Sequence, residues 1–314
     1  MLNRASVRAR LARLCARQLI KRRGRYETLA LTRQRIRSLE RLIPAPPRGT
    51  DIRTIDAGGL DADYITTPAS RPDRHVLYFH GGAYRIGSRS LSRHLTWRIA
   101  LAAQVRLVAT DYRLAPEHPF PCAVEDALSS YRWLLANGGI SRRIVVVGES
   151  SGGGLALALL LKLRDSGLPL PAAAVALSPW TDLALTGTTL IVKAALDPIL
   201  DAGALPRFAV DYLAGADPRN PYASPLYGDL SGLPPVLIQV GSDEILLDDA
   251  VRIAEKLRRA NSQVELQVWP GLFHVWHLFV PLLPEAHAAI EQIGRFVQRA
   301  LALATPSDES GMKR

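Results

Sequence analysis

The stretch IVVVGESSGGGLALALLLKLR, residues 144–164, decides the fold. Its first four residues are β-branched and apolar, the composition of a strand buried on both faces. Its second half, GLALALLLKLR, is a helix-forming run of leucine and alanine. Between them stands Gly148-Glu149-Ser150-Ser151-Gly152, a G-x-S-x-G at a strand-to-helix junction, which is the sequence form of a nucleophile elbow. The glycines follow from the geometry. A serine held in so tight a turn leaves no room for a side chain two residues before or after it. Ser150 therefore reads as a nucleophile, and an ordinary turn serine is the weaker reading.

Working outward, five more apolar runs have strand length: HVLYF (75–79), VRLVAT (105–110), AVALS (174–178), VLIQV (236–240) and VELQV (264–268). Helical patterns such as VEDALSSYRWLLANG and DDAVRIAEKLRRA lie between several of them. Alternating strands and helices, with strands apolar on both faces, give an α/β fold with a parallel sheet covered by helices on each side. IRTIDAG and ADYITT, within residues 52–67, read as a leading hairpin at one sheet edge.

A chain of 314 residues, 48% hydrophobic and 22% charged, has enough apolar material for a large core. Cys15 and Cys122 lie far apart without CxxC or Cys/His spacing, so neither a disulfide framework nor a metal site is expected. No apolar run reaches the roughly 18 to 20 residues of a membrane span, and the N-terminus lacks the apolar block of a secretory signal. A cytoplasmic location is the expectation. The net charge of +10 is local: residues 1–41 carry 13 Lys and Arg against Glu27 and Glu40, whereas the other 273 residues hold 26 bases and 27 acids. Two amphipathic helices are expected in this arm, one carrying Val7, Leu11, Leu14 and Cys15 and one carrying Leu29, Thr32, Ile36, Leu39 and Ile43, with KRRGR (21–25) between them. Solvated cap helices are the first reading, weak contact with an anionic membrane surface the second. Nucleic acid is disfavoured, because a single aromatic, Tyr26, among 13 bases is not an interleaved pattern.

Ligands bind at the carboxyl ends of the strands in such a sheet, so the junctions there were read for chemistry. HGGA (80–83) follows a strand, and a tight glycine loop can aim backbone N–H groups at the oxyanion of an acyl-transfer intermediate. Gly81, Gly82 and Ala83, with the N–H of Ser151, are the candidate donors. GLFHVWH (271–277) supplies the base that a serine hydroxyl needs. With a nucleophile on such an elbow the base follows it in the chain, which leaves His274, His277 and His287, and His274 is nearest the strand end. GSDEILLDDA (241–250) offers four carboxylates to orient the histidine. Asp248 and Asp249 begin a helix, where acids favour the N-terminal dipole and can cap it, so Asp243 and Glu244 remain.

HGGAY, DYRLAPEHPFP (111–121), GESSGGG (148–154), SPWTDL (178–183), YASPL (222–226) and GLFHVW together resemble the hormone-sensitive lipase family of α/β-hydrolases, the bacterial family IV esterases. The resemblance runs from about residue 75 to 280. It implies an eight-stranded, mostly parallel sheet, a helical cap from 1–47 and 183–224 on a catalytic core of 48–182 and 225–314, and cofactor-free hydrolysis of short-chain carboxylic esters. It also implies a homodimer paired through the last strand. The family's oxyanion loop usually reads HGGG and its elbow GDSAG; Ala83, Glu149 and Ser151 depart from these without removing a backbone N–H. The family's acid lies in D-P-L-x-D-E. Glu244, Leu246, Asp248 and Asp249 fit that register without a gap, so Glu244 is favoured as the triad acid and Asp243 kept as the alternative.

An apolar acyl pocket is expected, with Trp180, Leu183 and Trp276 as lining. Amidase, deacetylase or lactonase activity would use the same triad and is the alternative reading. A non-catalytic small-molecule binder would be expected to have lost the serine, base or acid, and all are present.

Overall fold

The computed structural model describes residues 5–21, 27–41 and 43–303. Apart from Lys21, the expected KRRGR break lies outside the described residues. Eight strands form one sheet: β1 (Asp51–Asp56), β2 (Asp61–Thr66), β3 (Arg71–Phe79), β4 (Val105–Thr110), β5 (Ile144–Glu149), β6 (Ala173–Leu177), β7 (Val236–Gly241) and β8 (Val264–Trp269). Their spatial order is β1-β2-β4-β3-β5-β6-β7-β8. β2 pairs antiparallel with β1 and with β4, and every other pair is parallel. The expected mostly parallel sheet with an edge hairpin is thus present.

β5, β6 and β7 are buried along their whole length, which is why their sequences are unbroken apolar runs. Because side chains alternate, Ile144 and Val146 face one layer while Val145 and Val147 face the other. The first layer contains the helices Cys122–Ala136 and Ser151–Asp165, the second Arg89–Ala103 and Pro284–Leu303. Ile253 and Leu257 of the helix Leu247–Arg259 close a third apolar cluster over β7.

The arm forms helices Val7–Ala16 and Leu29–Glu40, the first running into a π-helical turn at Arg17–Lys21. Between β6 and β7 the chain adds the short helix Thr189–Val192 and the helix Leu205–Leu213. Lys21 Nζ ties arm to insertion by donating to the carbonyls of Ala194 at 2.6 Å and Asp197 at 2.7 Å. Three arm arginines are held by the protein, whereas Arg8, Arg10, Arg17, Arg37 and Arg41 are exposed, so the first reading of the arm holds for those five and not for the three. Arg13 pairs with Asp243, Arg33 reaches Glu117 at 2.6 Å and the Ala115 carbonyl at 2.8 Å, and Arg35 meets Glu27 at 3.1 Å. In the second helix Ile36 is buried as its spacing implies, although Leu39 is exposed. The first helix is turned the other way: Ala9 and Ala16 are buried, and Val7, Leu11 and Leu14 face out.

Candidate active site

Ser150 sits between β5 and the helix that follows, at φ 54° and ψ −121°, a left-handed conformation that costs a non-glycine residue strain. The flanking glycines make that turn sterically feasible. A Cβ at Gly148 would lie 2.0 Å from the Gly152 carbonyl oxygen, and one at Gly152 would lie 2.2 Å from the Phe79 oxygen at the end of β3. Any side chain at either position would therefore push the elbow off its neighbours.

The loop Gly271–His277 brings its first histidine to the serine. His274 Nε2 lies 2.9 Å from Ser150 Oγ, and His274 Nδ1 lies 3.0 Å from Glu244 Oε2. An ionised carboxylate can only accept, so Nδ1 carries the proton and Nε2 accepts from the serine hydroxyl. Glu244 is fully buried and its other oxygen accepts from Ser178 Oγ at 2.7 Å and the Gly241 N–H at 2.6 Å. Burial disfavours charge on the imidazole, yet hydrogen bonding and attraction to Glu244 outweigh it and raise the His274 pKa above 6.5. Burial also raises the pKa of Glu244, against the hydrogen bonds from His274 and Ser178.

Asp243 turns away from this relay. Its carboxylate meets Arg13 of the arm, and its N–H donates to the Leu272 carbonyl at 3.0 Å. Asp248 and Asp249 occupy the first turn of Leu247–Arg259, but neither caps it, which corrects that expectation. Each reaches across to the segment after β6. Asp248 accepts from Thr188 Oγ1 at 2.6 Å and the Thr189 N–H at 3.0 Å, and Asp249 accepts from the Thr181 and Asp182 N–H groups at 2.7 and 2.9 Å. With Asp182 beside it, burial pushes Asp249 up to about 7. His277 is buried with Nε2 on Gln239 Oε1 at 2.9 Å, and burial lowers its pKa to about 3, so it stays neutral. His287 is exposed on the last helix.

Of the four candidate oxyanion donors, Gly81 is committed elsewhere: its N–H donates to Glu149 Oε1 at 3.3 Å. Among the described residues the Gly82 and Ala83 N–H groups have no protein acceptor. Both residues have positive φ, 123° and 54°, and a Cβ at Gly82 would lie 2.0 Å from the Ile86 carbonyl oxygen. The Ser151 N–H opens its helix, where the first N–H groups lack intrahelical acceptors. Gly82, Ala83 and Ser151 thus stay the candidate donors, on a loop tied to the elbow by the Tyr84 N–H, which donates to Ser151 Oγ at 3.3 Å.

A cavity of about 170 Å³ opens against Gly82 and Ala83; Ile20, Ile199, Leu200 and Phe208 share its wall with the charged Arg35, Arg85 and Arg207, and Ser150 and His274 do not border it. None of the three expected lining residues borders it. Trp180 and Leu183 are packed in the core beneath, and Trp276 lies in the opposite layer against Trp269. Large apolar residues near a motif are more often core than wall, and these three are. Two polar supports escaped the sequence reading. Ser178, directly after β6, accepts from the Val275 N–H at 3.2 Å while donating to Glu244. Asp197 accepts from the Ile245 N–H at 3.1 Å. Ser178 directly follows β6, at the strand end where ligands bind in such a sheet, which marks it in sequence; nothing in sequence marks Asp197.

Residues 76–278 match the family model described as alpha/beta hydrolase fold. The acetyl-hydrolase of Streptomyces hygroscopicus is 48% identical over 246 residues, covering 78% of this chain and 82% of that protein. Among solved structures, an esterase from the bacterial hormone-sensitive lipase family is similar at TM-score 0.89 with 40% identity, covering 94% of this chain and 99% of that one. EstE5 soaked by p-nitrophenyl butyrate superposes at TM-score 0.90 with 37% identity, covering 95% and 100%. No helix among the described residues is long and apolar enough to cross a membrane.

Proposed function

From a chain that belongs to the hormone-sensitive lipase family of α/β-hydrolases, and is a carboxylic ester hydrolase, we propose a serine esterase for short acyl chains working through an acyl-enzyme. The observation that carries the reading is the unbroken relay from Ser150 Oγ through His274 to Glu244, at 2.9 and 3.0 Å. Ser150 attacks the ester carbonyl as its proton passes to His274 Nε2. The oxyanion forms against the N–H groups of Gly82, Ala83 and Ser151. Glu244 fixes the tautomer and stabilises the imidazolium. His274 then protonates the leaving alcohol, leaving the acyl group on Ser150. A water loses its proton to the same nitrogen, attacks the acyl carbonyl, and releases the acid with Ser150 restored.

The cavity bears on the short-chain part only through its contact with the candidate oxyanion loop at Gly82 and Ala83. At about 170 Å³ it is well below the several hundred Å³ usual for drug-sized ligands. A relative called acetyl-hydrolase and a neighbour soaked with a butyrate ester point the same way. Arm and insertion, residues 1–47 and 183–224, form the cap that bounds the cavity, and β8 at the open sheet edge is the surface through which a homodimer would pair. Hydrolysis of p-nitrophenyl esters from acetate to palmitate tests the reading. Activity should be greatest at two to four carbons and fall on the order of 10⁶-fold in Ser150→Ala. A maximum at palmitate, or activity surviving in the variant, would refute it. Cleavage of the matching anilides at rates equal to the esters would favour the amidase reading.

A further inference from the structure

The first arm helix, Val7–Ala16, is built inside out. Its buried face is made of small residues, Ala9 and Ala16, with Ala12 packed beside them, whereas Val7, Leu11 and Leu14 are 70%, 58% and 60% exposed. At 100° per residue those three fall within about 60° of arc, so they form one continuous stripe. Arg8 flanks the stripe on one side, Arg10 and Arg17 on the other, and all three are exposed. The chain has no acidic residue before Glu27. A helix held to the core by alanines has no internal need for a leucine stripe facing water, so the stripe points to an external occupant. The arginines choose its charge.

We propose that this face docks the enzyme on an anionic lipid surface, with the stripe among the acyl chains and Arg8, Arg10 and Arg17 at the headgroups. A second copy of the chain fits less well, since a symmetric contact would bring the three arginines against their own counterparts. Nearby surface continues the theme. Lys21, at the end of the arm's first segment, is bonded to the Ala194 carbonyl, and the adjoining short helix exposes Ile191 and Val192 at 82% and 66%. The arm also adjoins the site: Arg13 of this helix reaches the Gly271 carbonyl at 3.5 Å, on the loop that bears His274, and Ile20, beyond the helix, walls the cavity. Docking in this orientation would set the cavity near the lipid, where esters of modest chain length concentrate.

Flotation of the full chain with vesicles of phosphatidylglycerol or of phosphatidylcholine tests the proposal without reading turnover, so its outcome is separate from that of the esterase assignment. Binding to phosphatidylglycerol that weakens with salt and is at least about tenfold weaker in Leu11→Ser/Leu14→Ser is expected. Hydrolysis of soluble p-nitrophenyl acetate by that variant should be unchanged, showing that it folds. The proposal is overturned if the chain fails to float with phosphatidylglycerol at low salt, binds both lipids equally, or binds as well with the two serines. It is equally overturned if light scattering shows the double variant dissociating a dimer while vesicle binding stays the same.

Discussion

Two adjacent carboxylates divide the labour at the residue scale. Glu244 faces inward to His274, while Asp243 faces the arm and Arg13. Adjacent residues in a turn point in different directions, so one residue of register separates a candidate triad acid from a partly buried ion pair with the arm. Glu244→Gln is expected to keep the geometry but offer the wrong hydrogen-bonding partner, lowering kcat on the order of 10³- to 10⁴-fold. Asp243→Asn leaves the mostly buried Arg13 guanidinium, 28% exposed, without its charged partner and should cost about 1–3 kcal/mol of stability, with kcat intact. The reverse ranking would exchange the two roles. The pH profile provides a second check. Catalysis needs neutral His274, and Glu244 holds the imidazolium against burial, so the acid limb of kcat/KM should lie above the ordinary histidine value of 6.5. Removing that carboxylate takes away the main opposition to burial, leaving only the more distant Asp197 and Glu149, and the acid limb of the residual activity should move to lower pH. Residues at strand ends were legible because the sheet forces ligands to that edge. Asp197 was not, since its role depends on where an insertion folds back.

Among the elements, the strands were the most legible, because a strand buried on both faces must be apolar throughout and β5, β6 and β7 are. Helices reveal which residues share a face, but not which face turns inward. That is why Val7, Leu11 and Leu14 were recognised as a stripe and yet their outward direction was not. The same gap explains the cavity wall. Trp180, Leu183 and Trp276 lie near the motifs in sequence, whereas Ile20 and Phe208 reach the site only through the packing of arm and insertion. The elbow supplies the prediction at this scale. Gly152→Ala improves intrinsic helix propensity by about 1 kcal/mol. Its methyl would nevertheless stand 2.2 Å from the Phe79 oxygen, and overpacking of this kind costs about 1–3 kcal/mol. Urea denaturation should show a net loss of stability, with activity falling further because the shift displaces both Ser150 and the Ser151 N–H. A more stable, fully active variant would show that the backbone yields without cost.

The whole molecule joins a sheet whose core is buried on both faces to a cavity wall assembled from distant parts of the chain. Sequence described the first part well, since local apolar pattern and strand order carry it. The second depends on long-range contacts that no local pattern encodes. Those contacts include the two hydrogen bonds from Lys21 Nζ to the Ala194 and Asp197 carbonyls, and the arm helices themselves bury little, Ala9, Ala16 and Ile36 among the described residues. Segments with sparse burial open at lower free energy than the core does. Warming should therefore separate arm from insertion while the eight strands remain paired. Heat inactivation is expected at a lower temperature than the loss of far-UV ellipticity, reversibly on prompt cooling, and Lys21→Met should widen the interval. Coincident transitions would place arm and sheet in one cooperative unit. On that expectation the hydrogen bonds from Lys21 contribute to a thermal set-point, the temperature at which the enzyme would go silent while still folded.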